Sequence, residues 1–240
     1  MRAFLYLVLL AISLPNFANA KTFTSDEKRA ALIELYTSEG CHSCPPADKW
    51  LAEFKSSSKL WSTIVPVAFH VDYWDYIGWK DRFGSKKFSN RQRRYAAEYG
   101  ESTVYTPGVR VGGEEFRAWR QHSLKDIKNT NLVGVLNVEV DEYGNITANF
   151  DNQIDTFKKF EINFALLGMN LSTDVKRGEN KGTTLHHDFV VLEHFKLKKK
   201  DDDFSGKTNL QKHNDTELAV AVWVNPVGNL IPIQATGGYL

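Results

Sequence analysis

An α/β first half followed by a smaller, all-β second half is the fold class this 240-residue sequence predicts. Apolar runs with strand character alternate with segments of helical spacing as far as about residue 130. From about Asn131 onward only short strand-like runs and polar turns remain. A third observation lies inside the first half. The only two cysteines, Cys41 and Cys44, stand two residues apart in "LYTSEGCHSCPPAD", between a strand pattern and a helix pattern.

The chain opens on "MRAFLYLVLLAISLPNFANA". Arg2, the apolar run from Ala3 to Leu14, and the small residues Ala18 and Ala20 make the pattern of a secretory signal peptide. The run falls short of the ~20 residues that span a bilayer. Residues 1–20 are therefore expected to be a leader, and the mature chain to start near Lys21 with no membrane span, in a periplasmic or secreted location. A formal net charge of +1 gives no bias toward nucleic acid or an anionic membrane, and 42% hydrophobic residues are ample for a core. No cofactor is called for, and a monomer is expected.

Taken in order, "RAALIELYTS" reads as a buried strand closed by Gly40. "PPADKWLAEFKSSS" then has helical spacing, with its prolines at the start, where the N–H groups lack partners anyway. A second strand runs from Ile64 to His70. The aromatic and acidic loop from Asp72 to Asp81 follows, either rimming a peptide groove or packing as a plug. A helix pattern, "KFSNRQRRYAAEYG", ends at Gly100. Thr106–Pro107 precedes a hairpin turning at Gly112–Gly113, and residues 120–131 have the spacing of a closing helix. This order, over residues 21–130, is that of a thioredoxin-like domain. Residues 131–240, with a hairpin around Tyr143–Gly144–Asn145 and four later strand-like runs, read as a β-sandwich-like domain.

A disulfide joining residues only three apart closes almost no loop and removes little unfolded-state entropy. Chemistry explains the pair better than stapling does. A cysteine at a helix start feels the positive end of the macrodipole, which favours thiolate. Cys41 is the expected nucleophile and Cys44 the resolving thiol. His42 would stabilise the thiolate as an imidazolium. Glu34, flanked by apolar Ile33 and Leu35, is a candidate buried acid that moves a proton to or from Cys44. Thr106–Pro107 is the element expected to face the sulfurs, with a proline able to be cis.

The function expected is thiol–disulfide exchange with exported protein or peptide thiols and disulfides. Copper or other metal binding by Cys41, His42 and Cys44, completed by His70 or His186, is one alternative. A non-catalytic module that binds an envelope protein is the other.

The strings "ELYTSEGCHSCPPAD", "AFHVDYWDYIGWKD", "RQRRYAAEYG", "VYTPGVRVGG" and "GENKGTTLHHDFVV" resemble a bacterial family of exported thioredoxin-like proteins catalogued as a domain of unknown function. The resemblance runs from about Ala31 to Ile233. It implies a thioredoxin-like first domain and export from a Gram-negative cell, with Cys41 and Cys44 as a redox pair and Thr106–Pro107 facing it. It implies no particular substrate. Gly40 stands where well-characterised thioredoxins carry a tryptophan.

Overall fold

A computed structural model describes residues 20–121, 130–154 and 159–240. Residues 1–19 of the expected leader and most of the expected closing helix (122–129) lie outside the described residues.

Among these described residues fifteen strands form. In chain order they are β1 (Lys21–Thr24), β2 (Ala31–Thr37), β3 (Ile64–His70), β4 (Gly108–Val111), β5 (Glu114–Glu115), β6 (Gly134–Val140), β7 (Asn145–Asn152) and β8 (Phe160–Met169). Then come β9 (Leu171–Asp174), β10 (Thr184–His187), β11 (Val190–Lys196), β12 (Lys198–Lys200), β13 (Asp203–Lys207), β14 (Glu217–Pro226) and β15 (Gln234–Tyr239). Among the described residues two α-helices stand beside them, α1 (Pro45–Ala52) and α2 (Lys86–Tyr99).

The expected α/β thioredoxin-like fold with a separate, smaller β domain is overturned by this arrangement. Among the described residues the chain is mostly β, in three largely antiparallel sheets. An eight-stranded sheet runs in the order β15-β14-β8-β11-β3-β2-β4-β5, a five-stranded sheet in the order β1-β6-β7-β13-β12, and β9 and β10 pair by themselves. Only β2–β3 and β3–β11 are parallel pairs. The eight-stranded sheet thus takes strands from both sides of residue 130.

The physical reason lies in β8 and β14. Along β8, Ile162, Phe164 and Leu166 face one core and Ala165, Leu167 and Met169 face another. Along β14, Val220, Val222 and Val224 divide from Ala219, Ala221 and Trp223 in the same way. Successive side chains on a strand point to opposite faces, so these two strands need cover on both sides. The five-stranded sheet covers one face. On the other, the same core holds residues of β2, β3, α1 and α2. The free edge of β3 accepts β11, with Val190 opposite Ala68, and the sheet becomes continuous.

Local signals fared well where they act over a few residues. β3 spans Ile64–His70 as expected, α2 ends on Gly100 at φ +68°, and Gly112 and Gly113 (φ +60° and +94°) turn the β4–β5 hairpin. The Ser85 hydroxyl accepts from the Lys87 amide and caps the start of α2. Ser85→Ala should therefore cost about 1 kcal/mol of stability in urea unfolding.

Parallel strands β2 and β3 end side by side, with Thr37 opposite His70 in the ladder. Just past those carboxyl ends lie the cysteines.

Candidate functional site

β2 is buried along its whole length and delivers Thr37 to a tight turn, in which the Cys41 amide donates to the Ser38 carbonyl at 3.1 Å. Cys44 caps α1, and Pro45 and Pro46 occupy its first positions, where a missing N–H costs nothing. The Cys44 carbonyl accepts from the amides of Ala47 (2.8 Å) and Asp48 (3.2 Å). Cys41 and Cys44 are joined as a disulfide, with Cα atoms 5.4 Å apart. Both cysteines are buried, at 1% and 0% exposure, while His42 and Ser43 face solvent. Ser43 Oγ lies 3.5 Å from Cys41 Sγ.

A distant turn is sewn onto this segment. Asn180, itself buried, donates through Nδ2 to the carbonyls of Glu39 (2.8 Å) and Cys41 (3.1 Å). The Glu179 carboxylate accepts from the His42 amide at 3.1 Å. The Thr106–Pro107 bond is cis. Thr106 is tied to the same region by Trp74, whose indole N–H donates to Thr106 Oγ1 at 2.7 Å. Trp74 also accounts for Gly40, because a Cβ there would sit 3.0 Å from the Trp74 Cβ.

Glu34 does not join the cysteines. It accepts from Arg91 Nε (2.8 Å) and Nη2 (3.0 Å), from the Tyr95 hydroxyl (2.6 Å) and from the Tyr36 hydroxyl (2.9 Å). Strand alternation puts Glu34 and Tyr36 on the face toward α2, and Thr37 on the face toward α1. The hydrogen-bond partners of Glu34 are thus Arg91 and two tyrosine hydroxyls, with none from the cysteine segment among the described residues.

One helical turn beyond Cys44 stands a second buried acid, Asp48. Its Oδ2 accepts from the Thr37 hydroxyl at 3.1 Å. Burial pushes its carboxyl up to about 7, against the pull of His187 and Thr37. Asp48 belongs to a buried cluster that the sequence reading missed. His70, at the end of β3, pairs through Nδ1 with Asp81 Oδ2 at 2.7 Å. His187, from β10, lies 4.0 Å through Nδ1 from Asp48 and 3.6 Å through Nε2 from Glu39. Burial would raise the Asp81 carboxyl, but His70 beside it and the amides of Glu39 and Phe83 hold it below the ordinary carboxylate value. Glu39 is likewise held low, its burial outweighed by His187 and the Trp79 indole.

The expected copper ligands are not brought together. The sulfurs are bonded to each other, and His42 and His186 are exposed. In β10, Leu185 and His187 point inward and His186 outward. The strand period was visible in "TLHH", and it selects the second histidine of the pair.

The chain belongs to the family described as "Protein of unknown function (DUF1223)", whose model matches residues 32–225. That match covers most of the span over which the sequence resembles such a family. No curated protein matches the chain significantly. Among solved structures, the chain is similar to a crystallised protein from Agrobacterium tumefaciens, at 20% identity and a TM-score of 0.63, over 87% of this chain and 93% of that one. It is also similar to HBP35 of Porphyromonas gingivalis, at 16% identity and a TM-score of 0.49, over 89% of this chain and 76% of that one. The first likeness supports the fold alone.

Proposed function

We propose that this chain is an exported thiol–disulfide exchange protein working through Cys41 and Cys44. The observation that carries the reading is the pairing itself: the two cysteines of the chain are joined across three positions at the start of α1. So short a bridge adds little stability, whereas the helix start favours thiolate once the bond opens. In the oxidising direction, a substrate thiolate attacks one sulfur of the bond and forms a mixed disulfide. A second substrate thiol then displaces the protein, leaving the substrate oxidised and both cysteines reduced, with two electrons and two protons transferred. The apolar leader and the absence, among the described residues, of a helix able to cross a membrane fit a periplasmic or secreted protein.

Incubation of the oxidised chain with a reduced dithiol peptide tests the reading. Transfer of the disulfide to the peptide, with two thiols appearing on the chain, is the expected result. A bond that stays intact while the peptide remains reduced would refute it.

Burial of both sulfurs means that exchange needs the segment to loosen, and the Asn180 side chain is what holds it. Each of its two hydrogen bonds is worth about 0.5–1.5 kcal/mol. Asn180→Ala should therefore speed reduction by dithiothreitol by about fivefold to a hundredfold, followed by thiol labelling under native conditions.

A further inference from the structure

We propose that Asp48, His70 and His187 form a binding site for one divalent first-row transition ion, separate from the cysteines. One ring nitrogen of each histidine and a carboxylate oxygen of Asp48 lie within 4.8 Å of one another. All three side chains are buried, at 8%, 1% and 2% exposure. Tetrahedral zinc, with bonds of about 2.0–2.1 Å, holds its ligands roughly 3.4 Å apart. Side-chain movements of less than about 1 Å each would close the triad onto an ion of that size.

A second observation points the same way. His70 Nε2 and both ring nitrogens of His187 are buried with no hydrogen-bond partner. Buried polar atoms are ordinarily paired, and unpartnered nitrogens on both histidines, one from each ring gathered with the Asp48 carboxylate, call for an occupant. The groups behind the histidines match what metal sites use. Asp81 accepts from His70 Nδ1 at 2.7 Å, which fixes the ring with its Nε2 lone pair free. Glu39 stands 3.6 Å behind His187 Nε2 while Nδ1 looks toward Asp48. Each histidine thus has a carboxylate at its back.

Charge gives a third reason. Glu39, Asp48 and Asp81 are all buried. Among the described residues, none of them makes an ion pair with a lysine or arginine. Buried carboxylates need a compensating charge, and a dication supplies it. Two imidazoles with one carboxylate suit zinc and its first-row neighbours. They do not suit calcium or magnesium, which take oxygen shells, or copper(I), which prefers sulfur.

The test uses the full oxidised chain, stripped with a chelator and titrated with zinc. One zinc per chain is expected, with a higher melting temperature. X-ray absorption should show imidazole nitrogen and oxygen around the ion and no sulfur. Asp48→Asn and His187→Gln should each weaken zinc binding at least 100-fold, Asp81→Asn by about 10–100-fold, and His186→Ala not at all. No binding by the wild type, sulfur in the shell, or binding indifferent to Asp48→Asn and His187→Gln would overturn the proposal. Should the ligand variants fail to fold, the wild-type stoichiometry and absorption spectrum decide it alone. None of these outcomes depends on disulfide exchange.

Discussion

Arg91→Ala is expected to cost the fold about 3–5 kcal/mol, among the largest losses any single substitution here should produce. Glu34 sits at the middle of β2 with 0% exposure, and Arg91 meets it with two hydrogen bonds. The guanidinium also lies over the rings of Phe69 (5.3 Å), Tyr95 (5.4 Å) and Trp223 (5.4 Å). Glu34, with desolvation opposing it, raises the Arg91 pKa well above its ordinary value, so the cation is never given up. Removing it leaves a carboxylate with only the hydroxyls of Tyr36 and Tyr95. The double variant Glu34→Gln with Arg91→Met should lose much less, because the penalty belongs to the orphaned charge and not to the absence of the pair. Urea unfolding of the three proteins measures both numbers. An Arg91→Ala loss under 1 kcal/mol would mean the pair is not buried as described.

The second large effect concerns the cysteines. Cys44→Ala should turn the chain into a trap that keeps a substrate attached through Cys41. In the proposed exchange, the Cys41 thiolate of the reduced wild type would attack a substrate disulfide, form the mixed disulfide and expel one substrate thiolate. Cys44, held three residues away at the helix start, then attacks the Cys41 sulfur and releases the other. Because that second attack is intramolecular, losing it should lengthen the lifetime of the adduct by on the order of 100-fold or more. Cys41→Ser should form no adduct. Mass spectrometry after quenching with an alkylating agent distinguishes the two. Adducts through Cys44 in the Cys41→Ser protein, and none in Cys44→Ala, would reverse the assignment.

The sequence disclosed those features whose causes are local. The burial of β2 and β3 shows as mostly apolar runs, α2 is bounded by Ser85 and Gly100, and the hairpins announce themselves at Gly112–Gly113 and Tyr143–Gly144–Asn145. The joining of the two halves does not show, because it depends on which strand takes the free edge of β3. The alternation in β8 and β14 is apolar on both faces, and such a run looks the same in a small sandwich as at the centre of a large sheet.

The site divides in the same manner. Cys41 and Cys44 are recognisable from spacing alone. The apolar neighbours of Glu34 mark it as a buried acid, yet its face of β2 is toward α2, and only the partner Arg91 reveals that. Asp48 lies in plain view four residues after Cys44. Its meaning appears only when His187, more than a hundred positions away, is packed against it.

The most direct measurement is a redox titration of the oxidised chain in glutathione buffers, read by alkylation of Cys41 and Cys44. A reversible two-electron transition with its midpoint between about −270 and −120 mV is the expected result, the range in which exchange proteins operate. A bond that resists reduction to below about −300 mV, as structural disulfides do, would contradict a role in exchange.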